Sequence, residues 1–484
     1  MNGRLWMIIA FWGVSAFGSA AWADNTNRYD YAYGTYGIIN SVAGFEPART
    51  IDGTVLPFSL ESVDAIAHGG GRIYLADSAA SRIVILDALD YSYIAAVNSV
   101  GAVNSVDAVN KSGDGSALKN PEGVFFSETT GTLYIADTGA ERIVVLDAET
   151  LLTKRVITRP ANMAGITNFK PSKIAVDTSG RIYFVVQGSY EGIVELKPNG
   201  EFSRFYGVNK PEINLPDYFW KSIASKDQKS KMTKTFAPSF SNLDIDREGF
   251  VYAVTADTAS LKMIFRFNAK GENVIREEGY IDLRGDLTRA YVNRTVASAF
   301  TGIAVADFGV YAVVDRSYGR VFVYDFDGYM LTVFSKLGDM KGDLRDPSSI
   351  AWNGYDLLVG DKALGRAYVY TPTAFGKAAL LAAESYNAGD WERAAAYFEK
   401  AIALNANFYA GYSGVGRNYL MRRDYGTALY YFKMANDTRM YSQSYNGFRG
   451  IWIQKYFVWV IAAAIILTAG IIYSEVRYAR KNRL

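Results

Sequence analysis

The sequence has no cysteine and a single histidine, His68, among its 484 residues. The first absence excludes disulfides, thiolate metal sites and cysteine nucleophiles. The second removes the multi-histidine metal sites and leaves little room for a histidine-based triad. An excess of either charge is missing too. With 51 Lys and Arg against 49 Asp and Glu, the chain has no electrostatic footprint of a nucleic-acid binder. No G-x-S-x-G elbow, P-loop or HExxH occurs. His68 lies in AHGGGR and reads as a turn residue, and the run Gly69-Gly70-Gly71 reads as a tight turn. What remains is abundant apolar and aromatic material, 50% and 14% of residues. That is enough for large cores, and the length calls for more than one domain.

The two ends carry topology. Residues 1–23 read as a secretory signal: Arg4, an apolar run from Leu5 to Phe17, and Ala21-Trp22-Ala23 before a cut ahead of Asp24. Near the other end, Tyr456 to Tyr473 is an uncharged run of apolar residues, YFVWVIAAAIILTAGIIY. At 1.5 Å per residue it reaches roughly 27 Å, close to the thickness of a hydrocarbon core. Trp452, Tyr456, Trp459 and Tyr473 flank it as an interfacial belt would. The tail that follows holds Arg477, Arg480, Lys481 and Arg483. The positive-inside rule then predicts a single-pass span (455–474), a cytoplasmic tail (475–484), and everything between signal and span outside the cytoplasm.

Between them runs a repeat. Six segments share a strand rich in β-branched and aromatic residues, a turn, and a further strand: RIYLAD, TLYIAD, RIYFVVQ, FVYAVTAD, GVYAVVD and YDLLVGD. Asp77, Asp137, Asp315 and Asp361 each precede an arginine by five residues (Arg82, Arg142, Arg320, Arg366), and Asp257 precedes Lys262 likewise. Gln187 with Gly192 breaks the pattern. A carboxylate there can accept backbone N–H groups and face the following cation. Because the pattern recurs once per repeat, these ten residues read as blade staples and not as an active site. The period predicts a six-bladed β-propeller over residues 24–372, closed by Ile38–Ile51 pairing into the last blade, which otherwise has three strands. A basic insert, residues 210–238, lies between the third and fourth blades. Its head, Phe219, Trp220 and Lys221, is a candidate docking element or a packed cap.

After Pro372 the hydrophobic period becomes helical. Trp391, Ala394, Phe398 and Ala401 match Tyr425, Ala428, Phe432 and Ala435 at an offset of 34, and Ala382 matches Gly416. This predicts a small all-α repeat domain over 373–454. Its last helix is expected to run on into the membrane. Tyr386, Asn387 and Arg417 fall where such repeats often face a binding groove.

NPEGVFF and KPSKIAV, with LYIADTGAERIVVLD, resemble the openings and blades of the NHL-repeat family of six-bladed propellers. The 34-residue offset resembles tetratricopeptide repeats. The combination of propeller, insert, repeat pair and anchor is similar to bacterial membrane-bound NHL proteins found near carbohydrate ABC importers. That resemblance implies a non-enzymatic extracytoplasmic binding or scaffold subunit, with an ABC permease, a solute-binding protein or an oligosaccharide as partner. Two alternatives stay open: a lactonase-like or lyase-like propeller enzyme using a divalent metal, and an envelope scaffold unrelated to transport. Such an enzyme would hold calcium with a Glu, an Asn and an Asp from different blades. Asn242, Asp244 and Asp246 look metal-like, but the repeat register singles out no such set, so no catalytic residue, cofactor or metal is assigned.

Overall fold

A computed structural model describes residues 30–34, 37–100, 115–163, 168–189, 191–207, 239–279, 281–286, 289–291 and 294–481. Residues 1–23 and the insert 210–238 lie outside the described residues. Six antiparallel sheets stand around one axis. Blade 1 spans Val63 to Val97, blade 2 Pro121 to Ile157 and blade 3 Pro171 to Tyr206. Blade 4 spans Phe240 to Phe267, blade 5 Phe300 to Phe334 and blade 6 Pro347 to Pro372. The innermost strand of each blade packs on that of the next, and that of blade 6 on that of blade 1.

The ring is closed by Phe45–Ile51, which pairs antiparallel with Arg366–Pro372 as the outer strand of blade 6. The expected closing segment was longer. Its first residues, Ile38–Asn40, instead belong to the strand Gly37–Asn40, which forms a separate hairpin with Tyr31–Gly34. The reason is a bend held by Asp30, whose carboxylate accepts the Gly44 N–H at 3.0 Å and whose carbonyl accepts the Ser41 N–H. Joining N-terminal and C-terminal segments in one sheet leaves no open edge at the seam.

Burial follows distance from the axis. The second strands are apolar up to their final aspartates and buried along their length, as in Thr132–Asp137 and Val310–Asp315, because neighbouring blades cover both faces. Outer strands alternate between buried and exposed, as in Thr153–Ile157. The exception is Met330–Phe334 of blade 5, buried at every position, because the strand Tyr31–Gly34 and the helices cover it.

Five helices follow: α1 (Ala374–Asn387), α2 (Trp391–Leu404), α3 (Tyr409–Met421), α4 (Tyr425–Met434) and α5 (Thr438–Lys481). Thr373, Asp390 and Asp424 cap the first, second and fourth by accepting backbone N–H groups. The residues paired at the 34-residue offset form the helix contacts. Ala394, Phe398, Ala401, Ala428, Phe432 and Ala435 are all buried, and Gly414 and Gly416 leave room for the rings of Phe398 and Phe432. Helix α5 runs 44 residues without a break, about 66 Å. Its first turns pack on α4 through Met440 and Ser444. Its apolar part is long enough to cross a membrane and is uncovered by the other described residues.

Close approach of the inner strands is testable at Gly123, where a Cβ would stand 2.0 Å from the Ser172 carbonyl oxygen in the next blade. Gly123→Ala is expected to cost about 1–3 kcal/mol, the usual cost of overpacking. A urea melt with an unchanged midpoint would show that the strands are not so close.

Candidate functional site

The strand ends are tied by the recurring carboxylates. Asp77 accepts the N–H groups of Glu61 and Ser62 with one oxygen and Arg82 Nε at 2.9 Å with the other. Asp137 accepts the Lys119 N–H and Arg142 Nε at 2.7 Å. Asp315 and Asp361 likewise accept backbone N–H groups, from Ala299 and Ser317 and from Arg345 and Leu364. Their arginines go elsewhere. Arg320 lies over the Tyr31 ring with Asp286 at 3.7 Å, and Arg366 reaches the Tyr368 hydroxyl. Blade 4 departs from the reading by spacing. Thr255, and not Asp257, occupies the register position opposite the start of the inner strand. Thr255 is fully buried and donates to the Ser239 carbonyl. Asp257 is exposed in the turn, and Lys262 faces Glu277. In blade 3 that position is Val186, one residue before Gln187.

A cavity of about 620 Å³ runs along the ring axis, lined by the inner strands of all six blades. Small or apolar residues dominate one register position: Ala67, Phe125, Ala175, Ala304 and Ala351, opposite Tyr74, Tyr134, Tyr183, Ala312 and Leu358. Blade 4 places Asp244 there, opposite Tyr252. Asp244 accepts the Ile245 and Val305 N–H groups, each at 2.8 Å, and stays partly exposed to the cavity. Burial pushes its carboxyl up to about 7 against those two hydrogen bonds, and Asp246 and Asp307 push the same way. Two residues further from the turn end, Lys173 of blade 3 donates to the carbonyls of Asp64 and Glu122. Burial lowers its pKa against the pull of both acids. His68 is on the inner strand of blade 1 and lines the cavity, not the turn as expected. Burial lowers its pKa, which favours the neutral ring. Asn242 donates to the Thr301 carbonyl, and Asp246 pairs with Arg266. Among the described residues no three His, Asp or Glu side chains converge as metal ligands.

The helices dock on the strand-turn end of blades 5 and 6. Arg417 of α3 is buried, with Asp327 at 2.8 Å and Asp325 at 3.3 Å, and its guanidinium stacks on Tyr329 and Tyr386. Burial pushes Asp325 up to about 6 against the attraction of Arg417, with Asp327 adding to the rise. Asp437 accepts the hydroxyls of Tyr329 at 2.8 Å and Ser413 at 2.7 Å. Phe45, Tyr329, Trp352, Phe375, Phe398 and Phe408 share one hydrophobic core across the junction. Asn387 packs on Gly309 in a blade 5 turn. The expected groove residues Tyr386, Asn387 and Arg417 therefore face the chain's own propeller, and Arg417 is closed to an outside partner. Phe219, Trp220 and Lys221 lie outside the described residues. Asp325 and Asp327 were missed by sequence reasoning. The signal was present in the turn Asp325-Phe326-Asp327-Gly328, which repeats the acid beyond what a turn needs.

No family model matches the chain, and no curated protein matches its sequence. Solved structures show distant likenesses to this chain. A streptogramin B lyase is 13% identical, with 68% of this chain and 98% of that one covered and a TM-score of 0.41. A virginiamycin B lyase from Staphylococcus aureus is 10% identical, with 68% and 99% covered and a TM-score of 0.41. The hydrazine synthase of Kuenenia stuttgartiensis is 12% identical, with 65% and 96% covered and a TM-score of 0.40. Likenesses this distant say nothing about activity.

Removing Arg417 leaves Asp325 buried without its cation, next to an Asp327 that keeps only Arg276 at 2.7 Å. Arg417→Met is expected to destabilise the junction by about 3–5 kcal/mol. Hydrogen exchange should rise in α1–α4 and in Met330–Phe334 while blades 1–3 stay protected. Unchanged protection at the junction would show that the apolar contacts hold it alone.

Proposed function

We propose that this chain is a membrane-anchored, extracytoplasmic scaffold that presents a β-propeller at a set height and orientation to another membrane protein. The observation that carries the reading is the unbroken α5. Its first turns belong to the helical module, the module is bolted to the propeller through Arg417, Asp325 and Asp327, and the same helix continues as the candidate span. A free-searching receptor needs a flexible tether, whereas a fixed stalk suits docking onto a partner in the same membrane. The basic residues after the span, with the positive-inside rule, support a cytoplasmic C-terminus. The resemblance stated above narrows the partner to the permease or solute-binding protein of a carbohydrate importer.

Solubilisation in mild detergent, affinity capture of the full chain and mass spectrometry test this. A permease or binding protein is expected at near-stoichiometric yield. Recovery of the chain alone under every mild condition would sink the proposal. Inserting a helix-breaking Gly-Pro-Gly after Gln454 should loosen the stalk and reduce that yield severalfold without removing the chain from the membrane fraction. An unchanged yield would remove the requirement for rigidity.

A further inference from the structure

The axial cavity serves no purpose in a scaffold, and one of its side chains breaks the rule followed by the other blades. The ring provides its own control. At the register position of Asp244, four blades carry alanine and one carries phenylalanine. The propeller thus closes without a carboxylate there. The Val305 N–H that Asp244 accepts comes from the neighbouring inner strand. That contact costs the burial of a charge that five other blades do without.

Most other charges around the cavity are already matched, and Glu128, exposed beyond the inner strand of blade 2, accepts the Gly70 N–H at 3.1 Å. Asp246 pairs with Arg266 at 3.1 Å, Asp307 with Arg247 at 2.5 Å, and Asp177 with Arg181 at 2.6 Å. Lys173 is drawn to the carbonyls of Asp64 and Glu122 at the far end of the inner strands. Among the described residues Asp244 has no cationic side chain beside it. Apolar side chains supply part of the wall: Ile174, Leu243, Ile303 and Ile350 line the same cavity, with Phe126 and Trp352 nearer the turns. A volume of about 620 Å³ falls within the ~300–1,000 Å³ usual for small-molecule sites, which combine apolar walls with a few placed polar groups.

We propose that the axial cavity is a binding site for a small organic amine, whose ammonium pairs with the Asp244 carboxylate while its apolar body contacts the aliphatic and aromatic wall. An ammonium supplies the missing counter-charge and a donor for the carboxylate lone pairs that the two backbone N–H groups leave free. The elevated pKa of Asp244 supports this, because a carboxyl near neutrality gains most from a cation that holds it ionised. His68, held towards its neutral form, adds little repulsion. The site is independent of the docking role proposed above: either can fail without the other.

Three probes with one apolar body separate the possibilities: phenethylamine, 2-phenylethanol and 3-phenylpropionate, titrated calorimetrically into the full chain in lipid nanodiscs at pH 8. Phenethylamine is expected to bind at least tenfold more tightly than the other two. Asp244→Asn should abolish that preference. Asp244→Ala installs the residue of four other blades and should fold with an unchanged melting temperature while losing at least tenfold in amine affinity. Equal binding of the three probes, absence of amine binding, or full retention by Asp244→Ala would each overturn the proposal. So would magnesium or calcium binding that depends on Asp244 and excludes the amine.

Discussion

A guanidinium withdrawn from water between two carboxylates is the constraint on which the shape of this molecule depends. Arg417 comes from a helix more than eighty residues downstream of Asp325 and Asp327. It can satisfy its charge only if α3 lies against the outer turn of blade 5. Asp327 also pairs with Arg276 at 2.7 Å, so it is the Asp325 charge that separation from Arg417 would leave unpaired in low dielectric. Apolar contact across the junction supplies area, but area tolerates sliding. The fork of a guanidinium does not, so the ion pairs set the register in which the helices sit. Met330–Phe334, an outer strand buried on every residue, lies under both these helices and the strand Tyr31–Gly34.

The propeller meets that constraint with a rigid body because its ring is closed by its own ends. The strand at Phe45–Ile51 is held to blade 6 along its length, and the next residues of blade 6 lead directly into α1. Thr373 caps α1 and donates to the Ala43 carbonyl just before the closing strand. Gly376 comes so close to Gly44 that a Cβ would stand 1.8 Å from its carbonyl oxygen. Ring closure and helix docking therefore share a seam, and a disturbance at one reaches the other through backbone rather than through long side chains.

The period-two runs and the 34-residue offset made the six blades and the paired helices legible, because both patterns report burial, and burial is what amino-acid type encodes most directly. Spacing along the chain was a poorer guide to the staples. Asp257 lies at the expected distance before Lys262, yet the buried position belongs to Thr255, two residues earlier, because the turn in blade 4 is longer. A hydroxyl can tie the strand end where a carboxylate does so elsewhere, and no count of acids reveals that. Tyr386, Asn387 and Arg417 were expected to face a binding groove, but what they meet depends on where a blade 5 turn arrives in space. Asp244 stands out only when its strand is aligned with five others, which requires the register and not the sequence alone.

Strand direction links the two halves of the molecule. Each inner strand runs towards a turn, and each third strand runs the same way, so the turns at Asp307–Gly309 and Asp325–Gly328 emerge on one face of the ring. The aspartate staples, at the ends of second strands, are on the other. The helices dock on the first face, where the lining of the axial cavity also reaches the turns through Asp246, Asp307 and Phe308. Phe308 belongs to both features: it lines the cavity and stacks against Trp352 and Tyr355, and the latter donates to Glu384 of α1. Phe308 therefore joins the turn end of the cavity to an aromatic set that is continuous with the docked helices. In a chain whose helices run unbroken into the candidate span, the occupancy of the propeller axis and the seating of the stalk are thus placed in one packed layer.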